Sequence, residues 1–237
     1  MRTALLGMVI CMLLAVLLLG CVEDTENKAE EVLKMVMERH EEAKLKGYKG
    51  IVTITEHLRS GVQTYEISWA VKPIDEPTKW KVEGDDVLYV CNGTTYWMYD
   101  RGERSAYRGN CSSGVIRCDY YPSIEALLKC SQAGLCNLTL EKGELSGRDC
   151  FIIQSIKETP CVGSLYEVER EILWIDKENL YPLKIEKVIK SALRTGEMRT
   201  VIMVSEYKNI EFNVSGEEFE FIPPEGTEII EIPLPPF

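Results

Sequence analysis

Along most of this chain apolar and polar positions alternate with a period of two, and only two stretches show the period of an α-helix. The first is 26–46. Val32, Leu33, Val36, His40 and Ala43 fall on one stripe, Glu and Lys fill the other positions, and Gly47 stops it. The second is 123–131, with Ser123 as N-cap and Glu125 in the first turn, where a carboxylate meets the positive end of the helix dipole. The alternation elsewhere predicts strands at 50–59, 62–72, 79–83, 87–91, 94–100, 105–107, 137–142, 148–157, 166–176, 183–190 and 200–208, and a shorter one at 219–221. In 62–72 the residues Tyr65, Ile67, Trp69 and Val71 share one face, opposite Thr64, Glu66, Ser68 and Ala70. Turn residues punctuate the series at Ser60-Gly61, Asn92-Gly93, Gly147, 177–179 and Thr195-Gly196. Asn92-Gly93 suits a type I′ turn and marks the clearest hairpin.

About ten antiparallel strands with two helices make a mainly β fold with some α. A sheet of that size either curls or exposes its edges. The economical solution is a strongly curved antiparallel half-barrel, covered by the N-terminal amphipathic helix and the short second helix. One unit over 29–232 is expected, with a cysteine-rich insert at 108–136 and a Pro-rich tail at 233–237 whose prolines lack ladder donors. Several strands are apolar on both faces: Val87 and Tyr89 alternate with Leu88 and Val90, and Tyr96 and Met98 with Trp97 and Tyr99. One explanation is a packed core on one side with rings decorating the other. The other is a concave face that lines a cavity for an apolar ligand.

Residues 1–20 carry one charge, Arg2, and a run dominated by Leu, Val, Met and Ala. They read as a signal peptide to be set aside from the fold. The run ends in Leu18-Leu19-Gly20-Cys21, which resembles a lipobox, so Cys21 is the expected lipidation site and 21–28 the lipidated residue and its tether. The competing reading is an uncleaved transmembrane helix, since about 18 apolar residues just span a bilayer. Two lipid chains on Cys21 anchor stably where one is marginal. The expected location is the extracytoplasmic face of the cell membrane, lipid-anchored.

The 237 residues hold 27 Lys+Arg and 38 Asp+Glu, a net charge of −11. Losing residues 1–20 removes Arg2 alone and leaves 26 basic against 38 acidic, or −12. An acidic chain without a dense basic stripe argues against a nucleic-acid partner and against broad adhesion to anionic lipid. Membrane contact therefore falls to Cys21. Beyond Cys11 and Cys21 there are seven cysteines, Cys91, Cys111, Cys118, Cys130, Cys136, Cys150 and Cys161, with no C-x-x-C pair, so a metal site is not supported. In an oxidising compartment disulfides are the default. Short loops favour Cys111–Cys118, Cys130–Cys136 and Cys150–Cys161 and leave Cys91 as a free thiol, although spacing does not fix connectivity. Sequons at Asn92, Asn110, Asn137 and Asn213 are candidate N-glycosylation sites.

Catalytic chemistry is thinly supplied, and no cofactor is expected. His40 and His57 are the two histidines. His40-Glu41-Glu42-Ala43-Lys44 begins like H-E-x-x-H and lacks the second ligand. Neither a G-x-S-x-G elbow nor a phosphate-cradling P-loop occurs. His57 alternates with Thr53 and Thr55, which fits a solvated strand face. The expectation is a protein that is not an enzyme.

Four stretches, in order, resemble the LolA-type lipoprotein-carrier superfamily. They are the hairpin 86–100, Leu173-Trp174-Ile175-Asp176-Lys177 with 181–186, Tyr207-Lys208-Asn209-Ile210 leading to Asn213-Val214, and 219–230. The resemblance covers most of 30–230. It implies an unclosed β-barrel with a helical lid over an apolar cavity, which in the bacterial carriers receives lipoprotein acyl chains. The lipobox and the cysteine-rich insert depart from the soluble carriers, and a tethered member of the superfamily is implied. The Glu/Lys-rich, disulfide-rich composition suits a thermophilic archaeon. The ligand implied is lipid or lipidated protein, with Ile67, Trp69, Tyr89, Trp97, Trp174, Ile185 and Met203 as wall residues and Arg170 holding a headgroup or the lid. The alternative is an extracytoplasmic sensor or interaction protein with the same fold and a membrane-protein partner.

Overall fold

Alternation becomes a ladder here: eleven consecutive pairings join twelve strands into one sheet. In this computed structural model the described residues are 25–43, 46–58, 60–72, 79–111, 124–157, 166–192 and 198–232. The expected signal segment, Cys21, residues 22–24 of the tether, the Ser123 cap, Cys118, Cys161 and the Pro-rich tail lie outside them, and residues 25–28 of the tether are helical. The strands are β1 (Tyr48–Leu58), β2 (Gly61–Lys72), β3 (Lys79–Glu83), β4 (Val87–Cys91), β5 (Thr95–Asp100), β6 (Ser105–Asn110), β7 (Cys136–Leu145), β8 (Arg148–Lys157), β9 (Tyr166–Asp176), β10 (Pro182–Ala192), β11 (Met198–Phe212) and β12 (Glu228–Glu231). Their order is β12-β6-β5-β4-β3-β2-β1-β11-β10-β9-β8-β7. Every pairing is antiparallel except β12 with β6. The sheet does not close, and the fold is the expected curved half-barrel with two helices.

The two helices are α1 (25–43) and α2 (Ile124–Gln132). The α1 stripe Ala29, Val32, Leu33, Val36 and Ala43 is buried, as are Ile124, Leu127 and Leu128 of α2. Both pack on one face of the sheet against Tyr48, Val52, Ile54, Trp69, Leu138, Ile153, Leu173, Ile175, Ile185 and Tyr207. This is the inner face. The second half of the expected cysteine-rich insert is therefore part of the core, because α2 needs somewhere to bury its apolar stripe.

Register fixes which side chains point inward, and three departures from the expected pattern bear on the site. Val188 pairs with Arg170 and Ile189 with Val168, so Glu169 is an extra residue in β9. That bulge puts Arg170 on the opposite face from Val168. In the 91–96 hairpin only Gly93 is left-handed, with φ 98°, and Asn92 N–H donates to Thr95 O at 3.2 Å. The corner is thus Gly93-Thr94, one residue later than expected, since a type I′ corner at Asn92-Gly93 needs positive φ at both. The Asn92 carboxamide explains the shift: its Oδ1 accepts from Thr95 N at 2.9 Å, Thr94 N at 3.1 Å and Thr94 Oγ1 at 3.1 Å. Third, 219–221 is not a strand. Gly216–Phe219 is a 3-10 turn, and the last strand comes later, at Glu228–Glu231.

That segment, 213–227, is a strap across the outer face. Phe219 is 0% exposed and clusters with Val214 and Ala70. Phe221 packs against Trp97 (ring centroids 5.8 Å) and Tyr99 (5.6 Å). Glu218 accepts from Lys49 at 3.3 Å and lies 3.6 Å from Lys81 Nζ, while Lys72 Nζ donates to Val214 O at 3.1 Å. The strap delivers β12 to the far edge beside β6.

Two expectations follow. Phe219→Ala leaves a cavity under the strap and should cost about 3–5 kcal/mol in denaturant unfolding. The second concerns Asp176, buried at the β9–β10 turn. Burial alone would raise its carboxyl, but the Glu178 and Asn179 amides (2.8 and 3.2 Å to Oδ1) and the Arg148 guanidinium (2.9 Å to Oδ2) outweigh it and hold it below the usual carboxylate range. A depressed native pKa adds stability above the unfolded value near 4, lost as pH falls through the native value. Urea midpoints measured from pH 5 downward should therefore fall less steeply in Asp176→Asn than in the wild type.

Candidate ligand-binding face

The middle of the inner face is filled by α1 and α2, so the hollow expected there is occupied by the chain's own helices. The exception lies on the side of β2 to β6. Across-strand partners line up as one row from β1 to β12: Gly50, Trp69, Val82, Tyr89, Met98, Tyr107 and Ile230. Burial grades along it. Trp69 is 3% exposed and Val82 is buried, whereas Tyr89, Met98, Tyr107 and Ile230 are half-buried. Beside it runs Tyr48, Val71, Trp80, Cys91, Tyr96 and Gly109, with Trp80 and Tyr96 in tilted contact at 5.8 Å. Together they form an apolar trough, deep at Trp69 and open toward β12.

Trp69 anchors the deep end. Tyr48 meets its ring edge-on at 5.1 Å, and Tyr48 in turn meets His40 of α1 at 5.3 Å. Gly50 makes room for it, because a Cβ there would lie 3.3 Å from the indole and 2.5 Å from Ile210. Trp69 Nε1–H is buried and has no hydrogen-bond partner among the described residues. A buried donor left unpaired costs about 1–3 kcal/mol, so the trough floor holds an unmet demand for an acceptor.

Of the expected wall residues, Ile67, Trp69, Tyr89, Ile185 and Met203 are on the inner face; Trp69 and Tyr89 line the trough, and Ile185 is in the packed core. Three are corrected. Trp97 and Trp174 alternate with inward residues and lie outside: Trp97 is under the Arg108 guanidinium (5.5 Å) and Trp174 under the Lys184 ammonium (4.6 Å). Arg170 is outside as well, paired with Glu186 at 3.4 Å, because it alternates with inward Glu171 and shares a face with Ile172 and Trp174; the Glu169 bulge turns Val168 inward instead. Met98, Tyr107 and Trp80 were missed. Pairing Tyr89 across the hairpin would have found Met98.

A polar group also faces inward. Glu171, buried, lies 3.0 Å from Lys187, with Ser155 opposite Glu171 on β8. Burial first, then the neighbouring Cys130 thiol, pushes the Cys136 thiol up to about 12, while the Ser155 hydroxyl pulls it down.

The cysteine pairing is corrected too. Cys91 and Cys111 form a disulfide with Cα atoms 5.8 Å apart. Cys91 ends β4, Cys111 follows β6, and both flank the end of β5, so register brings together residues that loop length kept apart. Cys91 is thus not a free thiol, and Cys111 is not joined to Cys118. Cys130, Cys136 and Cys150 are thiols, and burial raises the Cys150 thiol. Asn110, Asn137 and Asn213 are exposed. His57 is exposed on the outer face opposite Ile202. Among the described residues no group of three or more His, Cys, Asp or Glu could hold a metal ion, and no helix is long and apolar enough to cross a membrane.

No protein-family model matches the chain. An uncharacterized protein of Methanocaldococcus jannaschii is 29% identical over 222 residues, covering 92% of this chain, and the chain spans 58% of that relative's length. Among solved structures, an uncharacterized conserved protein from Thermus thermophilus aligns over 84% of this chain and 98% of its own, at 11% identity and a TM-score of 0.47. A LolA superfamily protein from Nitrosomonas europaea aligns over 79% and 97%, at 12% identity and a TM-score of 0.33. MucB of Pseudomonas aeruginosa, solved with MucA, aligns over 82% and 61%, at 12% identity and a TM-score of 0.38. These are distant likenesses.

Proposed function

We propose that this is an extracytoplasmic, lipid-anchored binding protein whose trough takes one hydrocarbon chain of a lipid or lipidated protein. The observation that carries this is the graded apolar row from Trp69 to Ile230. Five strand spacings of about 4.8 Å make it roughly 24 Å long, suited to an extended acyl chain. Burying ten methylenes gives about 8 kcal/mol before costs, enough for roughly micromolar affinity without a catalytic group. The unpaired indole N–H of Trp69 suits an oxygen acceptor on the ligand. Anchoring through Cys21 would hold the domain near a supply of such chains.

A second reading rests on the outer face. Val62 (62% exposed), Ile202 (38%) and Ile156 (45%) lie on one cross-strand row with His57, Val188 and Arg170. An exposed apolar row of this kind suits a protein partner. Crosslinking in membranes separates the two: many lipidated clients support the first, and one stoichiometric partner the second.

The direct test is acyl-probe titration of delipidated protein. Met98→Arg puts a charge in the trough and should weaken binding at least about tenfold, since burying an unpaired charge costs several kcal/mol. Trp174→Ala, on the outer face, should leave it within about twofold. Wild-type protein that takes up no probe, or equal losses in both variants, would rule the reading out.

A further inference from the structure

Cys130 and Cys136 stand apart from the trough, and the backbone fixes their approach. Gly134, with φ 65°, ends α2 in the left-handed region. Leu135 N–H donates to Cys130 O at 2.9 Å and Gly134 N–H to Ser131 O at 2.8 Å, the paired bonds of a Schellman cap. The cap folds the chain back so that Cys136, the first residue of β7, comes beside Cys130 in the last turns of α2, Cys136 within the core cluster and Cys130 packed against it. Cys136 is buried and Cys130 half-buried. Ser131, between them, ties in the other helix: its hydroxyl lies 2.9 Å from Glu30 and 3.2 Å from Glu26, both in the first turns of α1.

We propose that Cys130 and Cys136 are a redox clasp, oxidised to a disulfide that locks the end of α2, and through Ser131 the start of α1, onto β7. The Cys91–Cys111 disulfide marks the chain as one that meets an oxidising compartment. The oxidant is an external disulfide, of a small thiol or of a thiol oxidoreductase. The Cys130 thiolate attacks it and expels one thiolate, leaving a mixed disulfide. The Cys136 thiolate then attacks the Cys130 sulfur and expels the second. Two cysteine thiols become one disulfide, the external disulfide becomes two thiols, and the two protons pass to them. Burial holds the proton on Cys136, so the second step waits on local opening of α2. The clasp is independent of what the trough binds.

The test uses the full chain in its own membrane, with thiols blocked at lysis. Lys129 and Lys142 bound a tryptic peptide, 130–142, that holds both cysteines. The clasp predicts that this peptide is unlabelled and two hydrogens lighter without reduction; two blocked thiols there would overturn it. Cys130→Ser leaves Cys91–Cys111 intact and should speed amide exchange in 25–31 and in α2 by about tenfold or more. Should that variant misfold, wild type under mild reductant, with Cys91–Cys111 verified as retained, supplies the same comparison. Exchange unchanged between clasped and open forms would overturn the lock.

Discussion

One constraint shapes the rest of this structure: a long open sheet has more apolar inner face than its two helices can cover. Eleven strand spacings give a sheet roughly 53 Å wide before curling. Against this α1 supplies about 28 Å of helix and α2 about 14 Å. The helices take the strands around β1, where Val52, Leu173 and Ile153 meet Leu33 and Val36 in one cluster. Curvature shortens the remaining distance without removing it. What is left is the row through Tyr89, Met98 and Tyr107, apolar because the alternation continues and half-buried, with Tyr89 at the margin of the helical cluster.

The sequence makes elements legible wherever a local rule suffices. Strands 79–83, 87–91, 148–157 and 166–176 match their predicted bounds, and α1 buries its predicted stripe. Faces are harder, because they depend on counting by two without error. The single extra residue at Glu169 turns Val168 away from the face of Arg170, Ile172 and Trp174, and no signal in that Glu-rich strand announces it. Aromatic size also misled: Trp97 and Trp174 drew attention, but their neighbours Met98 and Leu173 face inward. Large rings on the outer face are stabilised instead by cations, from Arg108 and Lys184, and by Phe221. The cysteines show a third limit. Short loop length points Cys111 to Cys118, whereas strand register joins it to Cys91, 20 residues away, because β4 and β6 flank one strand.

The two faces are coupled through the C-terminal segment. The strap is pinned outside by Phe219, by Phe221 and by the Lys49–Glu218–Lys81 group, where the Glu218 carboxylate raises the Lys49 pKa. It then delivers four residues of β12, whose Ile230 ends the inner row. A four-residue parallel edge strand is weak by itself. Its place depends on attachments made on the opposite side of the sheet, reinforced by Glu228 N–H to Arg104 O at 3.0 Å and Ile232 N–H to Arg108 O at 2.8 Å.

The trough therefore has ends of unequal stability. Its deep end is Trp69, wedged between Tyr48 and the slot left by Gly50, inside the cluster that also fixes α1. Its open end is an edge strand with few buried neighbours, and such segments open at the lowest free energy. A chain-like ligand entering there would displace little packing and gain burial with each step toward Trp69. The same logic assigns the helices a different role: with their stripes in the core, they cap the sheet's centre, and entry along β12 leaves that packing intact.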